Sequence, residues 1–186
     1  MELTYKMRED TQKQGLLELC NSIKSYLGDN GLQIVEIGSY CGASGEIIAG
    51  SFPGSILNCV DPWEQYTEDD YTWDLNRQAL ELMEAEKIFE SVMERYPNMR
   101  KNKMPSSQYS SLISDDSIDF VYIDGNHQYS SIKEDLVNWS KKVKNGGIIA
   151  GHDCNFEPIS RALNEHFNEI PVATFMDGSW FYFNKK

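Results

Sequence analysis

Four short stretches of the chain end in residues that can do chemistry, and each follows an apolar run. In IVEIGSYCGASG, Ile34 to Gly45, Glu36 interrupts the apolar run, and glycines follow at 38, 42 and 45. NCVDPW places Asp61 at the end of the next run, with Pro62 and Trp63 after it. YIDGNH supplies Asp124, Asn126 and His127, and AGHD supplies His152 and Asp153. A glycine-rich turn entering a helix brings bare main chain and backbone N–H groups close to a ligand. An acid about 20 residues further on, at the end of the next strand, can grip ribose hydroxyls. Glu36 decides which nucleoside ligand suits the turn. A carboxylate beside a pyrophosphate is repulsive, whereas beside a cation it is favourable. S-adenosylmethionine carries an amino acid and a sulfonium at one end, a nucleoside at the other, and no phosphate.

The elements that must position these residues alternate along the chain. QGLLELCNSIKSYLGDNG has apolar residues at helical spacing and stops at Gly28 to Gly31. LQIVEIG reads as a buried strand, SGEIIAGSF as a helix ending near Pro53, and SILNCVD as a second strand. QALELMEAEKIFESVMERYP is a long helix whose apolar positions are Leu80, Met83, Ile88, Phe89, Val92 and Met93. MRKNKM is a weak third strand, SSQYSSLI a short helix, and SIDFVYIDG a strong strand. SSIKEDLVNWSKKVK is a helix that Asn145-Gly146-Gly147 terminates, and GIIAGHD is a fifth strand. EPISRALNEHF is a helix with Pro158 in its first turn, and VATFMDGSWFYFN reads as a hairpin around Asp177-Gly178. Such alternation implies an α/β fold, a parallel sheet covered by helices on both faces and finished by an antiparallel hairpin. Ligands then bind at the carboxyl ends of the strands, where all four stretches end.

With these motifs in order, the chain resembles the class I S-adenosylmethionine-dependent methyltransferases, and within them methyltransferase domain family 24. VEIGSYCGAS resembles their first motif, E/D-x-G-x-x-x-G-x-S/T, and NCVDPW the second. DSIDFVYIDGNHQYSSIKEDLVNWSKKVKNGGIIAGHD resembles the fourth and fifth, and the resemblance runs from about Gly15 to the hairpin. It implies a Rossmann-like, doubly wound sheet of seven strands with the last antiparallel. By the same resemblance Glu36 and the turn Gly38, Ser39, Tyr40, Gly42 and Ser44 face the methionine part of the cofactor. Asp61 binds the ribose diol, Pro62 and Trp63 lie near the adenosine, and Ser106 and Ser107 touch the adenine edge.

Asp124 and the pair His152-Asp153 end adjacent strands, roughly 5 Å apart in a sheet, so the three side chains can converge. Two carboxylates and an imidazole suit Mg²⁺ or another divalent metal such as Mn²⁺ or Fe²⁺. In similar metal-dependent O-methyltransferases the matching positions hold a metal that binds the acceptor oxygens. Related enzymes carry a basic acid two residues after the first ligand; here that position is Asn126, which makes His127 the candidate base beside Asp124. The expected acceptor is a small molecule: a sugar, a phenol or another hydroxylated metabolite. WEQYTEDDYTWDLNRQ, Trp63 to Gln78, is long and aromatic for a turn. It reads as a lid within a 64–87 substrate insertion, and its Tyr66, Tyr71 and Trp73 suit either stacking on an acceptor or a homodimer contact.

Two other readings compete. YSSIK places Tyr129 and Lys133 at the Y-x-x-x-K spacing of short-chain NAD(P)-dependent oxidoreductases, although Glu36 is badly placed for a pyrophosphate. Loss of an acid at Asn126 would also fit a protein that binds the cofactor without catalysis. Composition excludes broader classes. The 186 residues suit one domain over 1–186, and 40% hydrophobic with 25% charged residues is an ordinary globular profile. A net charge of −12, from 29 acids against 17 bases, argues against nucleic-acid partners. No apolar run of about 20 residues, no secretory leader and scattered cysteines at 20, 41, 59 and 154 lead to the expectation of a cytoplasmic protein without membrane partners.

Overall fold

The computed structural model describes residues 10–65 and 75–186. Their element order is α1 (Asp10–Leu27), β1 (Asn30–Ile37), α2 (Ala43–Ser51), β2 (Gly54–Val60), α3 (Leu75–Met93), β3 (Met99–Asn102) and α4 (Ser106–Leu112). There follow β4 (Ile118–Ile123), α5 (Tyr129–Lys142), β5 (Val143–Gly151), α6 (Glu157–Phe167), β6 (Ala173–Thr174) and β7 (Trp180–Phe183). The seven strands form one sheet in the order β3-β2-β1-β4-β5-β7-β6. β1 to β5 run parallel, and β7 is antiparallel to both β5 and β6. The order reverses between β1 and β4, so a crevice opens above their carboxyl ends.

Strand side chains alternate between two cores. Ile34, Leu57, Phe120, Ile148 and Phe181 pack with apolar residues of α1, α2 and α3 on one face. Val35, Val60, Val121, Ile149 and Tyr182 pack with those of α4, α5 and α6 on the other. The expected hairpin forms, closed by Phe175 N–H to Ser179 O at 2.8 Å.

Two expectations need correction. The helix over 130–144 ends at Lys142, before Asn145-Gly146-Gly147, which lie inside β5. Asn184 supplies the stop from 40 or so residues away: its Nδ2 donates to Ser140 O at 2.9 Å and Val143 O at 2.7 Å. The glycines then take up a register shift between β4 and β5. On α3 the buried line is Leu82, Ala85, Phe89 and Val92, whereas Leu80 and Met83 are exposed. That line repeats every three or four residues, so Leu80 and Met83 fall on the opposite face. The proposed lid residues Tyr66, Tyr71 and Trp73 lie outside the described residues. No helix among the described residues is long and apolar enough to cross a membrane.

Candidate active site

The turn after β1 is shaped by what approaches it. Gly38 has φ +84°, and a Cβ there would lie 2.2 Å from the carbonyl oxygen of Asp124. Only glycine lets the ends of β1 and β4 come this close, which brings Asp124 beside the turn. Gly45, in the first turn of α2, has Glu36 Oε2 3.1 Å from where its Cβ would be, so it makes room for that carboxylate. No side chain caps α2, which leaves its first-turn N–H groups for a ligand at Ala43 and Ser44.

Above the strand ends lies a cavity of about 730 Å³. It is walled by Gly38 to Cys41 and Ser44 at one side, by Asp61 and Pro62, by Ser106 and Ser107, and by Asp124 and His127. The turn residues Ser39 and Tyr40, the ribose candidate Asp61 and the adenine-edge serines therefore share one space. Gly42 is not on the wall; it is the N-cap of α2 in the left-handed region, φ 84°.

Two expected cofactor contacts are placed differently. Glu36 does not line the cavity. It is fully buried on the α2 face, where its Oε2 accepts from Ser39 Oγ at 2.7 Å. Burial raises its pKa, opposed by hydrogen bonding from Ser44, Ser39 and Cys59, and Asp124 adds to the rise. Glu36 can thus act on a ligand through the turn and through its field, not by direct contact. Trp63 is also turned inward. It is 4% exposed, packs on Phe89 with ring centres 4.9 Å apart, and donates Nε1–H to Tyr40 O at 2.8 Å. An indole gains more by core burial than by covering a nucleoside, so Trp63 braces the turn from below while Pro62 faces the cavity.

Asp61 is tied to both sides of that brace. Its Oδ2 accepts from Tyr40 N–H at 2.9 Å and its Oδ1 from Trp63 N–H at 2.7 Å. Both donors have positive φ, 42° and 46°, a conformation that costs non-glycine residues energy and that functional sites tolerate. Burial raises the Asp61 pKa, and the backbone N–H groups of Tyr40 and Trp63 only partly offset it.

Asp124 lies on the cavity wall, and the candidate metal ligands converge behind it, His152 and Asp153 being off the wall. Asp124, His152 and Asp153 offer donor atoms that all lie within 4.8 Å of one another. His152 Nδ1 is 3.0 Å from Asp153 Oδ1 and 3.9 Å from Asp124 Oδ1. Asp153, at φ 58°, turns its other oxygen to His127, with Nε2 to Oδ2 at 3.0 Å. Burial would raise the Asp153 pKa, but hydrogen bonds from His127 and His152 outweigh it and hold the carboxyl well below the usual range. A divalent cation with bonds of about 2.1 Å keeps neighbouring donors about 3 Å apart, and hard oxygens with one imidazole suit it. The donor set present fits such an ion.

Two acids near the site are not singled out by the sequence pattern, Asp177 and Asp135. Asp177, read only as a turn residue, has a fully buried side chain 3.8 Å from His152 Nε2. It presses against α1 so closely that a Cβ on Gly15 would meet its Cγ at 2.2 Å. Nothing local to Asp177-Gly178 signals that contact. Asp135 also lines the cavity, and its signal was visible: with Ile132, Leu136 and Trp139 it lies on the apolar face of α5. Asn126 makes a turn, its Oδ1 accepting from Gln128 N–H at 2.8 Å at the start of α5. Tyr129 and Lys133 do not line the cavity. They join Glu165 and Arg161 in a cluster between α5 and α6, with Lys133 Nζ 2.9 Å from the Tyr129 hydroxyl.

This topology and these strand ends define a class I methyltransferase. Residues 35–154 match the model of a methyltransferase domain, family 24, and the chain belongs to that family of S-adenosylmethionine-dependent methyltransferases. None of the curated proteins compared matches it. Among solved structures, a protein from Corynebacterium glutamicum is similar at TM-score 0.61 and 15% identity, over 96% of this chain and 82% of that one. The calicheamicin methyltransferase CalS11 is similar at TM-score 0.60 and 13% identity, over 90% and 77%. The carbon methyltransferase CurJ is similar at TM-score 0.52 and 14% identity, over 85% and 38%. At these identities the likeness shows a shared fold.

Proposed function

We propose that the protein methylates a hydroxyl of a small molecule, a sugar, a phenol or a similar metabolite, with a divalent cation held by Asp124, His152 and Asp153. The observation that carries this reading is one cavity joining Asp61 and Ser106 to Asp124 and His127, with Asp124 also the member of the three-donor cluster that lies on the wall. S-adenosylmethionine supplies the methyl group, and the cation supplies a Lewis acid that lowers the acceptor hydroxyl pKa. Asp61 holds the ribose diol with lone pairs left over from Tyr40 and Trp63 N–H. The turn and the uncapped start of α2 hold the amino-acid end, and buried Glu36 favours its positive charge. His127, oriented by Nε2–H donation to Asp153 Oδ2, takes the acceptor proton on Nδ1. The Asp153 carboxylate thus serves both groups, Oδ1 toward His152 and Oδ2 toward His127. Holding the acceptor oxygen beside the methyl group supplies much of the acceleration.

The test is methyl transfer to a panel of hydroxylated acceptors, with and without Mg²⁺ or Mn²⁺, beside calorimetric titration of each metal and of S-adenosylhomocysteine. Asp153→Ala should leave S-adenosylhomocysteine affinity within about threefold and weaken Mn²⁺ binding by about tenfold or more, with turnover lost. Turnover surviving in Asp153→Ala would sink the metal-assisted reading. Cofactor binding without transfer to any acceptor would favour a binding protein instead.

A further inference from the structure

An acid at the far end of the cavity takes no part in the chemistry above. Asp135 is on α5, 7% exposed, and on the cavity wall. Its neighbours on that helix face, Ile132, Leu136 and Trp139, are all core residues, so packing alone calls for an apolar side chain there. Instead the carboxyl is fixed from behind. Fully buried Trp139 donates Nε1–H to Ser106 Oγ at 2.9 Å, and Ser106 donates to Asp135 Oδ1 at 2.5 Å. No protein donor serves its second oxygen among the described residues. Burial, opposed by the Ser106 hydrogen bond and aided by Glu134, pushes the Asp135 pKa up to about 7. A buried carboxyl kept at such a cost, with one oxygen unserved on a cavity wall, calls for a ligand donor.

The position of Asp135 says which donor. The methionine end of the cofactor belongs to the turn near Gly38 and Asp124, and the ribose to Asp61 at the end of β2. The base then extends toward the β3 side of the cavity, where Ser106, Ser107 and Asp135 form the wall. From Asn102 to Ser107 the chain reads NKMPSS, with no carboxyl to meet an amino group. Asp135 reaches that place from α5.

We propose that Asp135, positioned by Ser106 and Trp139, accepts a hydrogen bond from the exocyclic amino group of adenine and so selects an amino purine over a keto purine. The proposal rests on the cofactor reading given above. A keto oxygen at the same ring position would meet the ionised carboxyl lone pair to lone pair, losing the bond and adding repulsion, so the preference is read at about pH 8, above the raised Asp135 value.

The experiment is calorimetry on the whole chain with S-adenosylhomocysteine and S-inosylhomocysteine, which differ at that one ring substituent. The native protein should prefer the adenosyl compound by about tenfold to a hundredfold. Asp135→Asn should reduce the preference to about threefold or less, because a carboxamide can turn either its donor or its acceptor to the ring. Ser106→Ala, which removes the bond that fixes the carboxyl, should lower it by a smaller factor. Each preference is a ratio within one protein, so partial misfolding of a variant does not alter it. Equal binding of both compounds by the native protein, or an undiminished preference in Asp135→Asn, overturns the assignment while leaving the cofactor reading intact. Failure of the native protein to bind either compound overturns both.

Discussion

Gly38 couples the stability of the sheet to the geometry of the site, and Gly38→Ala tests that coupling. With φ at +84° an alanine pays about 1–2 kcal/mol for the left-handed backbone. Its Cβ would lie 2.2 Å from Asp124 O, about 1 Å inside ordinary contact, and the neighbour is backbone that cannot swing aside. The ends of β1 and β4 must part, which weakens the Asp124 N–H to Ile37 O hydrogen bond, 2.9 Å long and worth about 0.5–1.5 kcal/mol. The sum is about 1.5–3.5 kcal/mol. For a chain of this size that lowers Tm by about 3–14 °C. Asp124 moves with the strand, and a displacement near 1 Å at a reacting centre costs about a hundredfold in kcat. Gly31→Ala is the matched control: φ is +75° there, yet nothing lies within 4 Å of the added Cβ. It should cost only the backbone strain, about 1–2 kcal/mol, and leave kcat unchanged. Thermal melts and methyl-transfer rates of the two variants make the comparison. If Gly38→Ala loses no more stability than Gly31→Ala and keeps its activity, the close approach of the two strands does not matter as argued.

Asp61→Asn should weaken S-adenosylhomocysteine by about tenfold or more, since an amide has one acceptor oxygen where the carboxylate serves two backbone N–H groups and a ribose. The pH dependence has opposite signs for binding and folding. Burial raises the Asp61 pKa, so its ionised form costs stability at neutral pH, and that cost disappears as pH falls through the folded value. Cofactor affinity should fall over the same window, which opens above the ordinary aspartate value of about 3.9, and this component should be missing in Asp61→Asn. Asn184→Ala strips the donors from Ser140 O and Val143 O. It should cost about 1–3 kcal/mol in denaturant titration with cofactor affinity unchanged.

The order of elements was legible because helices and strands impose periods of 3.6 and 2 on apolar residues, and both are local. The strand ends were legible for a related reason: Asp61, Asp124 and the pair His152-Asp153 each follow an apolar run directly, and a parallel sheet sends all such ends to one edge. Local pattern could not say which way a side chain turns once the strand has ended. Trp63 follows Asp61 by two residues but points into the core, because Phe89 on α3 and the carbonyl of Tyr40 are there to receive it. The end of α5 looked like the work of Asn145-Gly146-Gly147 and is set by Asn184, distant in sequence but paired beside those glycines after β7.

The sequence by itself therefore determined the alternating α/β order, the glycine turn preceded by an acid, and the set of polar strand ends. Only the tertiary structure decided that Glu36 lies beneath the turn, that Asp153 is shared between His127 and His152, and that Asp135 and Asp177 reach the site's surroundings from α5 and the hairpin. The difference is one of range. Periodicity and strand-end chemistry are written in neighbouring residues, whereas the contacts of His127 with Asp153, His152 with Asp177 and Ser106 with Asp135 join segments tens of residues apart and exist only once the sheet has brought them together.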